Sequence, residues 1–162
     1  MTISIDGTIR RARPEEAELL HNLTQRSALY WGYEPAFLEW EPESLAVGPG
    51  LIEQEMVYLL EEGDTITGYY AFIGKPAALF FDKLFVEPEL IGTGRGKRLW
   101  QHAVETARSL GATEFFFYAD PNAGPFYRAM GAEWLESIPT TWPDWELQRF
   151  RFAIPAVDSP TP

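Results

Sequence analysis

The run Glu114-Phe115-Phe116-Phe117-Tyr118 constrains the fold more than any other segment of this chain. An extended strand sends successive side chains to opposite faces, so four consecutive aromatic residues load both faces with apolar surface. Such a strand belongs in the interior of a sheet with cover on both sides. A chain of 162 residues is long enough for one domain built around it. At that size roughly two-thirds of the unfolded surface can be buried without a disulfide or metal staple.

Other strands and helices can be placed around this one. Thr8-Ile9-Arg10-Arg11-Ala12 reads as a first strand. Pro14 suits the first turn of a helix, where its missing N–H costs nothing, and Glu15, Glu16 and Glu18 favour that positive end. Leu19, Leu20, Leu23 and Tyr30 or Trp31 continue at helical spacing until Gly32 breaks it. A second helix is expected between Glu34 and Leu45, interrupted by Pro42, and a loop at Gly48-Pro49-Gly50. Met56 to Leu60 and Thr65 to Ile73 read as strands joined by a turn at Gly63-Asp64, and Leu79 to Val86 as a third. Gly94 to Leu110 is an amphipathic helix with Leu99, Ala103, Ala107 and Leu110 on one stripe, capped by Gly111. A short helix fits Pro125 to Met130, and strands fit Trp134 to Ile138 and Glu146 to Ile154. The expected order, β-α-α-β-β-β-α-β-α-β-β, describes one α/β domain with a mixed sheet covered by helices. Residues 1–154 are expected to form it, and the proline-rich residues 155–162 a flexible tail.

Composition removes whole classes of chemistry. There is no cysteine, hence no disulfide, thiolate metal site or cysteine nucleophile, and only two histidines, His21 and His102. Both fall on expected helices and read as surface or hydrogen-bonded residues rather than catalytic ones. A metal site is not expected. No apolar run reaches the roughly 18 residues of a membrane span, and Met1 to Gly7 lacks the basic and apolar stretches of a signal peptide. A cytoplasmic protein is the default. The net charge of −11, without a basic stripe, disfavours nucleic acid and anionic membranes as partners. It reads as a solvated surface, with an acidic field for cationic ligands as a local alternative.

The segment Ile91-Gly92-Thr93-Gly94-Arg95-Gly96-Lys97-Arg98 lies between a strand and a helix. Glycines there let the backbone approach a ligand closely, and the first helical turn offers free N–H groups to an anion. Lys97 and Arg98 add local positive charge. Phosphate or pyrophosphate is the expected guest. The spacing fails the Walker loop, because Ile91 and Arg98 stand where glycine and Ser or Thr are needed. It also fails the dinucleotide fingerprint, because Lys97 stands where the third glycine belongs.

Leu84-Phe85-Val86-Glu87-Pro88, followed by Gly92-Thr93-Gly94-Arg95-Gly96 and Leu99, resembles motif A of the GNAT superfamily of acyl-CoA N-acyltransferases. The segment from Asp120 to Ala132, Asp-Pro-Asn-Ala-Gly-Pro-Phe-Tyr-Arg-Ala-Met-Gly-Ala, resembles its motif B. Their order and separation match as well. Ser27 with Trp31-Gly32-Tyr33 is similar to the N-terminal region of one subset of bacterial members. The sequence departs from the family at Ile91, where Arg or Gln is common, and at Ala132, where Phe is common.

The resemblance implies a GNAT-like fold with a mixed, mostly antiparallel sheet flanked by helices. It implies an N-acetyltransferase that moves an acetyl group from acetyl-CoA, as co-substrate, to a primary amine by direct attack. The acceptor would be a small molecule or an exposed protein amine. The backbone of Gly92, Thr93, Gly94, Arg95, Gly96 and Lys97 would hold the pyrophosphate. The Leu84 N–H would face the acyl oxygen, Val86 and Asn122 would hold the pantetheine arm, and Tyr127 would be the general acid for the leaving thiolate. The alternative is a non-catalytic acyl-CoA-binding or interaction module on the same fold. The base has several candidates. Asp82 shares strand parity with Leu84 and Val86, so it is expected on their face, with pairing to Lys83, Arg149 or Arg151 as the structural alternative. Glu34, Glu39, Glu41 and a water chain remain open. Trp31, Tyr33 and Glu34 are expected at the acceptor, with Trp40, Trp142 and Trp145 as further wall or as core packing. Exposed strands near the C-terminus suggest a homodimer.

Overall fold

The computed structural model describes residues 7–40 and 45–156. The candidate base Glu41, the helix-interrupting Pro42 and residues 157–162 of the expected tail lie outside the described residues. Seven strands form one sheet in the order β1-β2-β3-β4-β5-β7-β6. They are β1 (Thr8–Arg11), β2 (Met56–Glu62), β3 (Thr65–Ile73), β4 (Phe80–Val86), β5 (Glu114–Ala119), β6 (Glu133–Pro139) and β7 (Glu146–Ala153). Five helices are described: α1 (Ala17–Ala28), α2 (Ala36–Trp40), α3 (Pro49–Gln54), α4 (Arg95–Ser109) and α5 (Gly124–Ala129). Every neighbouring strand pair is antiparallel except β4 and β5, which run parallel. The sheet is therefore mixed, as the element order predicts, and mostly antiparallel, as the resemblance implies. One helix was not expected. α3 starts at Pro49, where the Gly48-Pro49-Gly50 pattern predicts a loop. Proline is tolerated in a first helical turn, and burial of Ile52 secures the segment.

The alternation of side chains along β3 feeds two cores. Tyr70 and Phe72 face α4 and α5, where they join Phe81, Phe115, Phe117, Phe150 and the α4 residues Leu99, Trp100, Ala103 and Ala107. Tyr69 and Ala71 face the other side, with Leu20 and Leu23 of α1 and Ile52 of α3. Gly68 allows β3 to approach α4, since a Cβ there would stand 2.8 Å from Leu99 Cδ1 and 3.0 Å from the Phe85 carbonyl oxygen. The aromatic strand β5 is interior, between β4 and β7, but only one of its faces is sealed. Phe115 and Phe117 are fully buried, whereas Tyr118 is 46% exposed and Phe116 lies under the Arg149 guanidinium. The expectation of cover on both faces fails here because the core under α1 and α3 contains no residue of β5.

Two irregularities in β4 shape the molecule. Its register against β3 shifts between Lys83, which pairs with Ala71, and Phe81, which pairs with Phe72. Asp82 is thus the extra residue of a β-bulge. On the other edge, β4 touches β5 at one bridge, Phe80 with Phe116, and the strands diverge beyond it.

Candidate active site

The divergence of β4 from β5 opens a cleft of about 720 Å³. Parity along the strands shows that it passes from one side of the sheet to the other. Phe81, Phe126 and Tyr127 line it on the side of α4 and α5, and Phe80, Tyr118 and Trp31 on the side of α1. Residues Phe80 to Val86 form one wall, and Tyr118, Ala119 and Asp120 stand opposite.

The β4 wall presents backbone to the cleft. The Glu87 N–H donates to the Thr67 carbonyl at 2.9 Å, so it points at β3. Amides of a strand alternate between its two edges. The N–H of Phe85 therefore also points at β3, and those of Leu84 and Val86 point at the open edge. An unpaired strand edge inside a cleft offers hydrogen bonds to an extended ligand.

At the end of this wall the glycine-rich turn leads into α4. Gly92 and Gly94 have φ of 85° and 91°, conformations that suit glycine, and Gly94 is the N-cap. The first backbone bond into the helix is Arg98 N–H to Gly94 O at 3.0 Å. The amides of Arg95, Gly96 and Lys97 precede it and have no partner among the described residues. Such amides, with the helix dipole, suit an anion, and Lys97 lines the cleft beside them. The side chains of Thr93 and Arg95 turn away. Arg95 holds Glu62 through two bonds of 2.7 and 2.8 Å and reaches Thr93 Oγ1 at 2.9 Å. Arg98 also turns away, to the Gly7 carbonyl.

Tyr127 projects from α5 against Phe117, with ring centroids 4.6 Å apart, and is 7% exposed. Its hydroxyl has no hydrogen-bond partner among the described residues. No sealed side-chain nitrogen or oxygen there lacks a partner, so the Tyr127 oxygen is open to the cleft it lines. Burial pushes its phenol above the usual range, which keeps the proton in place.

Residues 19–132 match the acetyltransferase (GNAT) family. The chain belongs to the GNAT acetyltransferase family. Solved structures agree in fold. The GCN5-related N-acetyltransferase from Rhodopseudomonas palustris is 16% identical at a TM-score of 0.74, with 94% of this chain and 98% of that one covered. The yncA protein of Salmonella typhimurium, whose structure holds acetyl-CoA as its cofactor, is 17% identical at a TM-score of 0.67, with 96% and 98% covered. The paiA N-acetyltransferase from Thermoplasma acidophilum, in complex with coenzyme A, is 17% identical at a TM-score of 0.69, with 91% and 99% covered. At these identities the likeness is one of fold. No curated protein matches the chain in sequence.

Within this GNAT fold the candidate residues separate into three groups. Asp82, Leu84, Val86, Gly92, Gly94, Gly96, Lys97, Asn122, Tyr127 and Trp31 line the cleft. Tyr33 stands behind it as a strut. Its hydroxyl donates to Asp120 Oδ2 at 2.7 Å and accepts from Asn122 Nδ2 at 2.9 Å and Trp145 Nε1 at 2.8 Å. Burial and the Asp120 carboxylate raise its pKa. Glu34 is exposed and away from the lining, and Glu39 is exposed on α2. Glu34, expected at the acceptor, follows Gly32, which ends the α1 extension at φ 88°, and is not among the lining residues. The parity argument for Asp82 fails. The bulge gives Phe81 the α4-facing position, and Asp82 Oδ2 pairs with Lys83 Nζ at 2.8 Å. Arg149 and Arg151 go instead to Glu136 and to Glu114 and Glu133. His102 is bonded to Tyr70 and His21 to Gln25 and Val47.

Sequence reasoning missed Phe37, Phe80, Lys83 and Phe126 as cleft residues. Phe37 is 4% exposed and touches the rings of Tyr33, Trp40, Trp142 and Trp145. The Phe37–Trp40 spacing of one helical turn was the available signal. Tyr33→Phe should keep the stack on Phe37 but leave the N–H groups of Asn122 and Trp145 short of an acceptor. We expect a loss of about 1–3 kcal/mol in urea unfolding, the cost of stranded polar groups. Unchanged stability would show that the strut carries no weight.

Proposed function

We propose that this chain is an acetyl-CoA-dependent N-acetyltransferase acting on a primary amine. The observation that carries the reading is the pairing of an open β4 edge with the unpartnered Tyr127 hydroxyl across one cleft. A module that only held acyl-CoA would need the turn and the edge, but no phenol facing the cleft.

The residues fit the co-substrate. The amides before Arg98, with Lys97, suit its pyrophosphate. The open edge of β4 suits the amide-bearing pantetheine arm, with Val86 as one donor and Asn122 at the opposite wall. The Leu84 N–H is placed to stabilise charge developing on the acyl oxygen, and the apolar surroundings strengthen that bond. Acetyl-CoA supplies the activated acyl carbon. A neutral amine attacks it, the C–N bond forms and the C–S bond breaks. Tyr127 gives its proton to the sulfur, and the amine proton leaves to Asp82, directly or through water. Of the candidate bases Asp82, Glu34 and Glu39, Asp82 is the one that lines the cleft.

Three substitutions test these roles. Gly96→Val places bulk at the mouth of α4, where a Cβ would meet only Phe126, at 3.5 Å. It should leave unfolding unchanged and abolish the rise in Tm on adding CoA. An undiminished rise would move the anion elsewhere. Tyr127→Phe removes a hydroxyl that no described residue needs, so Tm should stay within a few degrees of wild type. The value of kcat at saturating acetyl-CoA should drop by about tenfold to a thousandfold, a range overlapping typical general-acid effects. A kcat within about twofold of wild type would transfer the proton donation to water. Asp82→Asn should lower kcat by about a hundredfold, most at low pH where free amine is scarce, with the KM for acetyl-CoA unaffected. Wild-type turnover would leave Asp82 as the partner of Lys83 only.

A further inference from the structure

The chain has a net charge of −11, but the described lining of the cleft does not share the imbalance. Among the described residues its lining holds two acids, Asp82 and Asp120, against two bases, Lys83 and Lys97. Both acids are engaged. Asp82 pairs with Lys83. Asp120 receives the Tyr33 hydroxyl on one oxygen and both the backbone and side-chain N–H of Asn122 on the other, at 2.7 and 2.9 Å. A polycation would have to leave its hydration for carboxylates already in use, which returns little.

The rest of the α1 side of the cleft is largely ring surface, Trp31, Phe37, Phe80, Tyr118 and Trp145, with Leu147 and the small α1 residues Ser27 and Ala28 beside them. These rings divide by burial. Phe37 and Trp145 are 4% and 7% exposed and are used by the Tyr33 cluster. Trp31 and Tyr118 are 41% and 46% exposed, so the core leaves nearly half of their surface open. Tyr118 lies against Phe80 at 5.6 Å, which extends the apolar wall down to the bridge between β4 and β5.

From this combination we infer that the acceptor is a primary monoamine carried on an aromatic or branched apolar body. The inference rests on the transferase reading given above. The exposed faces of Trp31 and Tyr118 take the body, and apolar burial supplies its affinity. The single nitrogen then points through the divergence of the strands toward the acyl carbon. Its lone pair forms the C–N bond as the C–S bond breaks. One amine proton passes to the base and one phenol proton to the sulfur, so an N-acetylamine and free CoA thiol leave.

The test follows thiol release by the purified full chain at saturating acetyl-CoA. The probes are phenethylamine and isopentylamine as apolar monoamines, spermidine as a polycation, and the dipeptide Ala-Lys as a peptide amine. The apolar monoamines should show kcat/KM at least about tenfold higher than the other two, the discrimination that a few apolar contacts supply. Trp31→Ala and Tyr118→Ala, both at half-exposed positions, should each weaken the apparent affinity for phenethylamine, raising its KM by about fivefold, with the KM for acetyl-CoA unchanged. Faster turnover of spermidine or Ala-Lys would overturn the acceptor class and leave the transferase reading standing. An unchanged amine KM in both variants would overturn the placement of the body on these rings. Absence of thiol release with every amine, together with no rise in Tm on adding CoA, would overturn the transferase reading itself.

Discussion

Strands β4 and β5 share one bridge, Phe80 with Phe116, and the cleft exists because the ladder stops there. Parallel strands that remained paired would satisfy each other's amides and leave no room between them. Beyond the bridge, the β4 edge must find its hydrogen bonds in solvent or in a ligand, because a buried unpaired amide costs about 1–3 kcal/mol. The remaining neighbours are antiparallel and well paired, so the opening is confined to one place. The two sides of the divergence are held independently. On one side Tyr127 of α5 packs on Phe117 and Phe150. On the other, Tyr33 ties the segment after α1 to Asp120 at the end of β5 and to Trp145 before β7.

Much of this arrangement was legible in the sequence, for identifiable reasons. Strand and helix positions followed from periodicity, as with β3, read as Thr65 to Ile73 and found at those bounds. The turn at Gly92 to Gly96 was legible because glycines between a strand and a helix have few uses. Asp82 was misplaced because parity assumes an unbroken strand, and a bulge shifts every residue beyond it. Nothing local to Phe81-Asp82-Lys83 marks that bulge. The role of Tyr33 was hidden for a different reason. Its partners Asp120, Asn122 and Trp145 lie 87 to 112 residues away, and no spacing rule links a hydroxyl to groups that only the folded sheet brings near. The open face of β5 was hidden as well. An aromatic run signals a need for burial, but not whether the chain supplies a helix to provide it.

Charge shows the same separation between what the whole chain suggests and what the cleft does. A net charge of −11 should repel an anionic ligand, yet the expected pyrophosphate site sits at a helix N-terminus with Lys97 beside it. At physiological salt, exposed charges more than about 8 Å away are largely screened. The few N–H groups and the one ammonium in contact therefore decide the local preference. The two acids of the described lining, Asp82 and Asp120, are both engaged, so the acidity of the whole chain is not repeated there as free carboxylate.

The cleft also divides its two tasks by the kind of atom that performs them. On the α4 side the polar work falls to backbone N–H groups, at Leu84 and Val86 and at the start of α4. Their positions are set by the ladder and the helix, so the side chains that carry these amides can vary, whereas the Tyr127 hydroxyl on the same side depends on its residue. That tolerance is consistent with a shared fold at 16–17% identity to the solved relatives. On the α1 side the surface is made of side chains from α1, α2, β5 and the loop between β6 and β7. These elements meet through the rings around Phe37 and the hydroxyl of Tyr33. A substitution there reshapes the wall without disturbing the strand edge that would bind the thioester. On the proposed reading, choice of acceptor can thus change while the acyl-transfer geometry is kept, because the two would be built on opposite faces of one sheet and meet at the gap between β4 and β5.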